Sequence, residues 1–304
     1  MRIYIAGHTG LLGSSLTKIL GLDKNNILIL KNRQELDLLN QKDTFDFISS
    51  SKPDLVILLA AKVGGIIGNQ TFPADYILEN IQIQTNIISA CNKNNIQNLI
   101  FLGSSCIYPK ECIQPIKPEY LLTSSLEISN ENYALAKISG VFLCKSMRKQ
   151  YKRNYISLMP CNLYGENDRY HDIENSHVVP AVITKIKKAK IENRNVELYG
   201  TGSALREFLH ADDLADFISI IIPIMLETEL PDIINVGNNN EISIKDLTVM
   251  ISDLLDFKND IIWNKDFSNG TLRKKLDTSF INQTLNWYPK IELRDGLKRI
   301  IELL

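Results

Sequence analysis

The sequence predicts an α/β fold, a doubly wound parallel sheet with a smaller C-terminal α/β unit, and three observations carry that prediction. Short apolar strands alternate with amphipathic helical segments through the first half. A glycine-rich loop joins the first strand to the first helix. After Gly165 the chain turns polar, and clear strand-then-helix patterning returns only near residue 206.

Taken in order, RIYIA (2–6) is a buried strand, followed by a helix from about Gly10 to Leu22. NILIL (26–30), DLVILLA (54–60), LIFLGS (99–104) and YISLMP (155–160) are the next four strands, with helical segments near 41–50, 74–94 and 131–151. Apolar runs of strand length separated by helix-length segments imply parallel strands with crossover helices. Residues 166–206 are polar except for a helix from Val179 to about Ile191. REFLHADDLADFISIII (206–222) reads as strand then helix, and INVGNNNEISIKDLTVMI (234–251) as strand, turn and a helix capped by Ser243. An amphipathic helix follows at 294–304. The predicted organisation is a Rossmann-type domain over 1–165, rejoined by 207–236, and a substrate domain from 166–206 and 237–304.

At 304 residues and 44% hydrophobic, the chain can bury a sizeable core. Lys plus Arg total 34 against 35 Asp plus Glu, so charge gives no case for nucleic acid or an anionic membrane as partner. Gly7 and Gly10 interrupt the first apolar stretch where a secretory signal would continue. The longest apolar run, Phe217 to Leu226, is broken by Ser219 and Pro223 and falls short of the about 20 residues a spanning helix needs. The five cysteines (Cys91, Cys106, Cys112, Cys144, Cys161) are odd in number and lack CxxC spacing. Neither a disulfide framework nor a metal site is expected, and a reducing cytoplasm suits them.

Gly7-His8-Thr9-Gly10-Leu11-Leu12-Gly13 follows a strand and opens a helix. Glycines so placed let the backbone turn tightly and approach a pyrophosphate, while the helix N-terminus supplies amide donors. The second strand ends in Lys31-Asn32-Arg33, with no carboxylate until Glu35. Cations there suit a 2′-phosphate, which favours NADP(H) over NAD(H). Tyr133 and Lys137 lie four apart on a helix, so the ammonium is expected beside the phenol, lowering its pKa. Ser104 ends the fourth strand, where open α/β sheets place ligands. A phenol with a serine beside it can exchange a proton at a carbonyl while hydride moves.

Together these residues resemble the extended short-chain dehydrogenase/reductases, and more narrowly the GDP-L-fucose synthase family. The resemblance spans nearly the whole chain: IAGHTGLLGSSL (5–16), NRQELDL (32–38), AAKVGGI (60–66), GSSCIYP (103–109), YALAK (133–137), NLYG (162–165), NSHVVPA (175–181) and REFLH (206–210). It implies epimerisation at C3 and C5 of GDP-4-keto-6-deoxy-D-mannose, then reduction at C4 with NADPH, in a homodimer joined by a four-helix interface. Ser104, Tyr133 and Lys137 match the reductase triad, Cys106 the base and His177 the acid. Ala60, Ala61, Pro160, Asn162, Leu163 and His177 join the glycine loop and Arg33 as implied cofactor contacts. Ser105, Lys185, Arg206 and Lys274 are the implied substrate contacts. His8, His171 and His210 read as structural residues.

Departures from the family pattern cluster on the substrate side. Lys185 stands where an Arg is usual. Asp266-Phe267-Ser268-Asn269-Gly270-Thr271-Leu272-Arg273-Lys274 replaces a segment that usually carries two prolines and an Asp. Thr9 stands where the loop usually has a basic residue. A sibling C4-reductase for another GDP-4-keto sugar, such as a heptose or dideoxyhexose, is therefore a second reading. A catalytically dead NADP sensor is a third.

Overall fold

The chain begins with β1 (Arg2–Ala6), α1 (Leu11–Leu20), β2 (Ile27–Ile29), α2 (Gln41–Ser51), β3 (Leu55–Leu58), α3 (Ile66–Thr71), α4 (Pro73–Lys93), β4 (Asn98–Leu102), α5 (Glu131–Tyr151) and β5 (Asn154–Pro160). It continues with β6 (Asn162–Tyr164), α6 (Val178–Ile191), β7 (Val196–Tyr199), β8 (Leu205–His210), α7 (Ala211–Glu227) and β9 (Ile233–Val236). The remaining elements are β10 (Glu241–Ser243), α8 (Ile244–Leu254), β11 (Ile261–Asn264), β12 (Arg273–Lys274) and α9 (Leu293–Leu303). This is a computed structural model that describes residues 1–172, 176–267 and 269–304.

Six parallel strands form the larger sheet in the order β2-β1-β3-β4-β5-β9. All four residues of β3 are buried, as a strand covered by helices on both faces requires. The order reverses between β1 and β3, and the C-terminal ends of β1, β3, β4 and β5 open onto one edge, where such sheets bind ligands. One apolar core surrounds this sheet, and a second gathers Tyr164, Val179, Ile183, Ile186, Phe208, Leu247, Ile251, Leu297 and Ile300.

The second core lies under strands that the sequence reading had mostly not resolved. β8 is the centre of a small sheet, pairing with β6 and β12 in parallel and with β10 antiparallel. β7 and β11 form a separate parallel pair. The strand at 205–210 thus sits in the small sheet, while α7 and β9 after it return to the large one. The Ser243 cap is present, its Oγ accepting the Asp246 N–H at 3.0 Å. The Phe217–Leu226 run lies inside α7, much of it buried. Among the described residues no helix is long and apolar enough to cross a membrane.

Candidate active site

The glycine loop has the shape a pyrophosphate cradle needs. Gly7 adopts φ +91°, and a Cβ there would lie 2.8 Å from the Ala60 nitrogen. A Cβ on Gly13 would lie 2.1 Å from the Gly7 carbonyl oxygen, so helix and turn meet only because position 13 has no side chain. Gly10 caps α1 without a side-chain hydrogen bond, leaving its first amides to a ligand. Thr9 and Gly10 are exposed, Leu11 is half-buried and Leu12 is buried. Half-buried Ala60 and Ala61 follow β3, buried Pro160 ends β5, and half-buried Asn162 and Leu163 begin β6.

Beyond β2 the two cations are held differently. Lys31 is paired with Glu35 at 2.9 Å, and the Asn32 amide and Lys31 together hold the Glu35 carboxyl below its ordinary range. Arg33 is 73% exposed and only loosely opposed by Asp37 at 3.9 Å. Arg33 is therefore the cation available to an incoming phosphate.

Ser104 ends β4 and caps a short turn, Ser105–Ile107, its Oγ accepting the Cys106 N–H at 3.2 Å. Ser105 is buried within that turn. Tyr133 and Lys137 project from α5. The expectation that Lys137 lowers the phenol is corrected here. Burial pushes Tyr133 above its ordinary value, with Cys106 acting in the same direction, against a smaller opposing hydrogen bond with Ser104. Lys137 Nζ donates instead to the Leu102 carbonyl at 2.8 Å and lies 5.9 Å from the Tyr133 ring centre. Burial brings the amine down to about 7, the cost of desolvating its charged form.

Cys106 is shifted against the effect of its own burial. Burial alone raises a thiol, yet this one lies below its ordinary value because Lys274, Ser104 and Arg206 together outweigh burial. Lys274 Nζ approaches the sulfur to 3.7 Å, and Asn130 Nδ2 donates to it at 3.2 Å. The fold explains the two cations: β12 lies beside β8 with Lys274 opposite Arg206 in register, and directly opposed strand residues share a face.

His177 is the residue before α6, and its Nδ1 lies 3.6 Å from Asp168 Oδ2. Asn175, the first residue of the NSHVVPA motif, falls outside the described residues. Lys185 on α6 places its Nζ 3.8 Å from the Tyr199 ring centre and donates to the Glu197 carbonyl at 3.3 Å. Of the histidines read as structural, His210 accepts the Asp212 N–H at its Nδ1 and caps α7.

A family model for NAD dependent epimerases and dehydratases matches residues 3–237. The chain belongs to that family. Within the epimerase/dehydratases it is 45% identical to the putative GDP-L-fucose synthase 2 of Arabidopsis thaliana, over 99% of this chain and 90% of that one. It is 42% identical to the GDP-L-fucose synthase of Escherichia coli K12, covering 97% and 94%. A solved GDP-6-OMe-4-keto-L-xylo-heptose reductase from C. jejuni superposes with a TM-score of 0.91 at 34% identity, covering 99% and 97%.

Three features of this epimerase/dehydratase site escaped the sequence reading. Asn130 reaches the Cys106 sulfur from the start of α5, an approach that no spacing in the sequence announces. Tyr199 and Phe267 stack at 4.0 Å between ring centres beside Lys185, joining β7 to the divergent segment. Asn269 Oδ1 accepts from the Thr201 N–H at 2.8 Å and fastens that segment to the turn after β7. One aromatic at a strand end and another in a bend give a weak signal, since either could equally serve a core.

Proposed function

We propose that this chain is an NADPH-dependent GDP-4-keto-6-deoxy-D-mannose 3,5-epimerase/4-reductase that makes GDP-L-fucose. One observation carries the reading: a thiol held below its ordinary value by Lys274 and Arg206 stands beside the Ser104–Tyr133 pair. A reductase needs the pair alone; an adjacent activated base gives it a second task.

The chemistry follows from the ketone. A carbonyl at C4 acidifies the protons on C3 and C5. Cys106 takes such a proton, the C–H electron pair moves onto the C4 oxygen as an enolate, and His177 returns a proton from the other face. Ser104 and Tyr133 hold the oxygen where charge develops. In the final step Tyr133 delivers a proton to it, with Lys137 one helical turn away and held by the Leu102 carbonyl. When bound, NADPH supplies the hydride for C4. The cradle of Gly7, Gly10 and Gly13, with Thr9, Leu11, Leu12, Ala60, Ala61, Pro160, Asn162 and Leu163, would hold the dinucleotide, and Arg33 its 2′-phosphate. Ser105, Arg206 and Lys274 would hold the sugar and Lys185 the GDP, beside the Tyr199–Phe267 stack.

The six-stranded half is thus the dinucleotide half and the remainder the sugar half. Leu78 and Ile81 on α4 and Leu135 and Phe142 on α5 are exposed at helical spacing, which supports a homodimer through a four-helix contact. Five free cysteines suit a reducing cytoplasm.

Incubation with GDP-4-keto-6-deoxymannose and NADPH tests the reading: NADPH should be consumed and GDP-L-fucose appear by NMR. Turnover only on a different GDP-4-keto sugar would replace the substrate. The likeness to the heptose reductase favours such a sibling as the second reading. Deuterium uptake from solvent at C3 and C5 separates them, because a pure reductase leaves both carbons unlabelled. Cys106→Ser should abolish that uptake and spare reduction of an already epimerised ketone.

A further inference from the structure

Asn130 is the residue before α5, the position where an asparagine normally accepts an amide of the first helical turn. It makes no such cap. Its side chain turns away, Nδ2 donating to the Cys106 sulfur at 3.2 Å, and its Oδ1 is buried with no hydrogen-bond partner. A helix that gives up its cap, and a buried amide oxygen left unpaired, are both costs that packing does not recover. The second is relieved once Oδ1 accepts from a hydroxyl in the site, while Nδ2 goes on donating to the sulfur.

We propose that Asn130 is a catalytic residue of the epimerisation, its Nδ2–H holding the Cys106 sulfur ready to take a proton and its Oδ1 accepting a hydroxyl of the sugar. The inference rests on the epimerase reading above. The sulfur then has donors from two elements, Lys274 of β12 and Asn130 of α5, with Arg206 of β8 adding charge. When the thiolate takes the C3 or C5 proton, an S–H bond forms and a C–H bond breaks, with the electron pair passing to the C4 oxygen. Asn130 keeps its own protons throughout. Its contribution is to hold the sulfur in place and in its charged form before the transfer, and to fix the sugar hydroxyl that sets which carbon faces it.

The test compares wild type with Asn130→Ser, Asn130→Ala and Asn130→Asp in the full-length protein. The Ser variant can cap α5, so its melting temperature should match or exceed wild type. The first readout is the rate of iodoacetamide alkylation at Cys106 against pH, followed by peptide mass spectrometry. The inflection should move up by about one unit in Ser and Ala, equivalent to about tenfold less thiolate near neutrality, and further in Asp. The second readout is deuterium uptake at C3 and C5, expected to fall by at least the same factor, while reduction of the epimerised ketone shows a raised KM and a smaller loss at saturating substrate. An unmoved alkylation profile with unmoved uptake overturns the proposal, as does a parallel fall of uptake and reduction. If wild type fails to label this sugar, yet alkylation still shifts in the variants, the sugar assignment falls and the Asn130–Cys106 contact stands.

Discussion

The two walls of the cleft are held in different ways. On one, Ser104, Cys106, Tyr133 and Lys137 come from the end of β4 and the start of α5, backed by the large core, with Lys137 only 2% exposed. On the other, Lys185, Tyr199 and Phe267 stand on α6, the end of β7 and the segment before β12, with both aromatics over 40% exposed. A wall whose rotamers are fixed by packing can hold proton donors to within the tolerance that chemistry demands. An exposed wall can change its residues at little cost to the fold, and Lys185 and Phe267, two of the departures on the substrate side, lie there. On the proposed function, the chemistry and the choice of sugar would be borne by parts of different rigidity.

If that contrast is right, the inner wall should yield the largest effects. Tyr133→Phe should lower the reduction rate by about 10²–10⁴-fold, the usual worth of a positioned proton donor, with little change in NADPH affinity. A loss below tenfold in single-turnover assays would leave the wall without its assigned donor. Lys274→Met comes next, on β12 beside Arg206 of β8. Because the Cys106 thiol lies below its ordinary value, its thiolate is present above that lowered pKa and is lost as pH falls through it. Deuterium exchange should therefore rise with pH to a plateau, and Lys274→Met should move the inflection upward, cutting exchange about tenfold per unit at neutral pH. An unmoved profile would separate Lys274 from the base.

Smaller effects sharpen the same comparison. Arg33→Ala should weaken NADPH binding by about tenfold or somewhat more, the range for a charge-assisted hydrogen bond, and leave NADH binding unchanged. Equal losses for both would assign Arg33 to the fold. Phe267→Ala on the outer wall should raise KM for the GDP-sugar by about two- to tenfold at constant kcat, in line with one lost aromatic contact. A fall in kcat would show that the outer wall also positions the reacting carbons.

The inner wall was the more legible one. Apolar runs fixed β1, β3, β4 and β5, and the Gly7–Gly13 loop was readable because few residues but glycine fit its geometry. The short strands β6, β7, β10, β11 and β12 carry two to four residues each, too few for an alternation to register. The Tyr133–Lys137 spacing was read correctly as one helical face, but not its electrostatics. Spacing places two side chains near one another, whereas burial decides which form each prefers, and Leu102 supplies the lysine with a nearer partner. Asn130 was hidden for a different reason, since nothing in the sequence shows its side chain turning from the start of α5 to the Cys106 sulfur.

The path of the chain between the two sheets limits how the molecule can be taken apart. It leaves the large sheet after β5, builds β6 to β8, returns through α7 to lay down β9 at the sheet's edge, and departs again. Farther on, Trp287 comes back to pack edge-on against Phe217 of α7, with ring centres 5.0 Å apart. A truncation after residue 165 would leave β5 as a bare apolar edge and α1 without the helix packed against it. Neither half is therefore obtainable as a separate folding unit, and exchange of sugar specificity between relatives must be made by grafting the outer-wall segments into an intact chain.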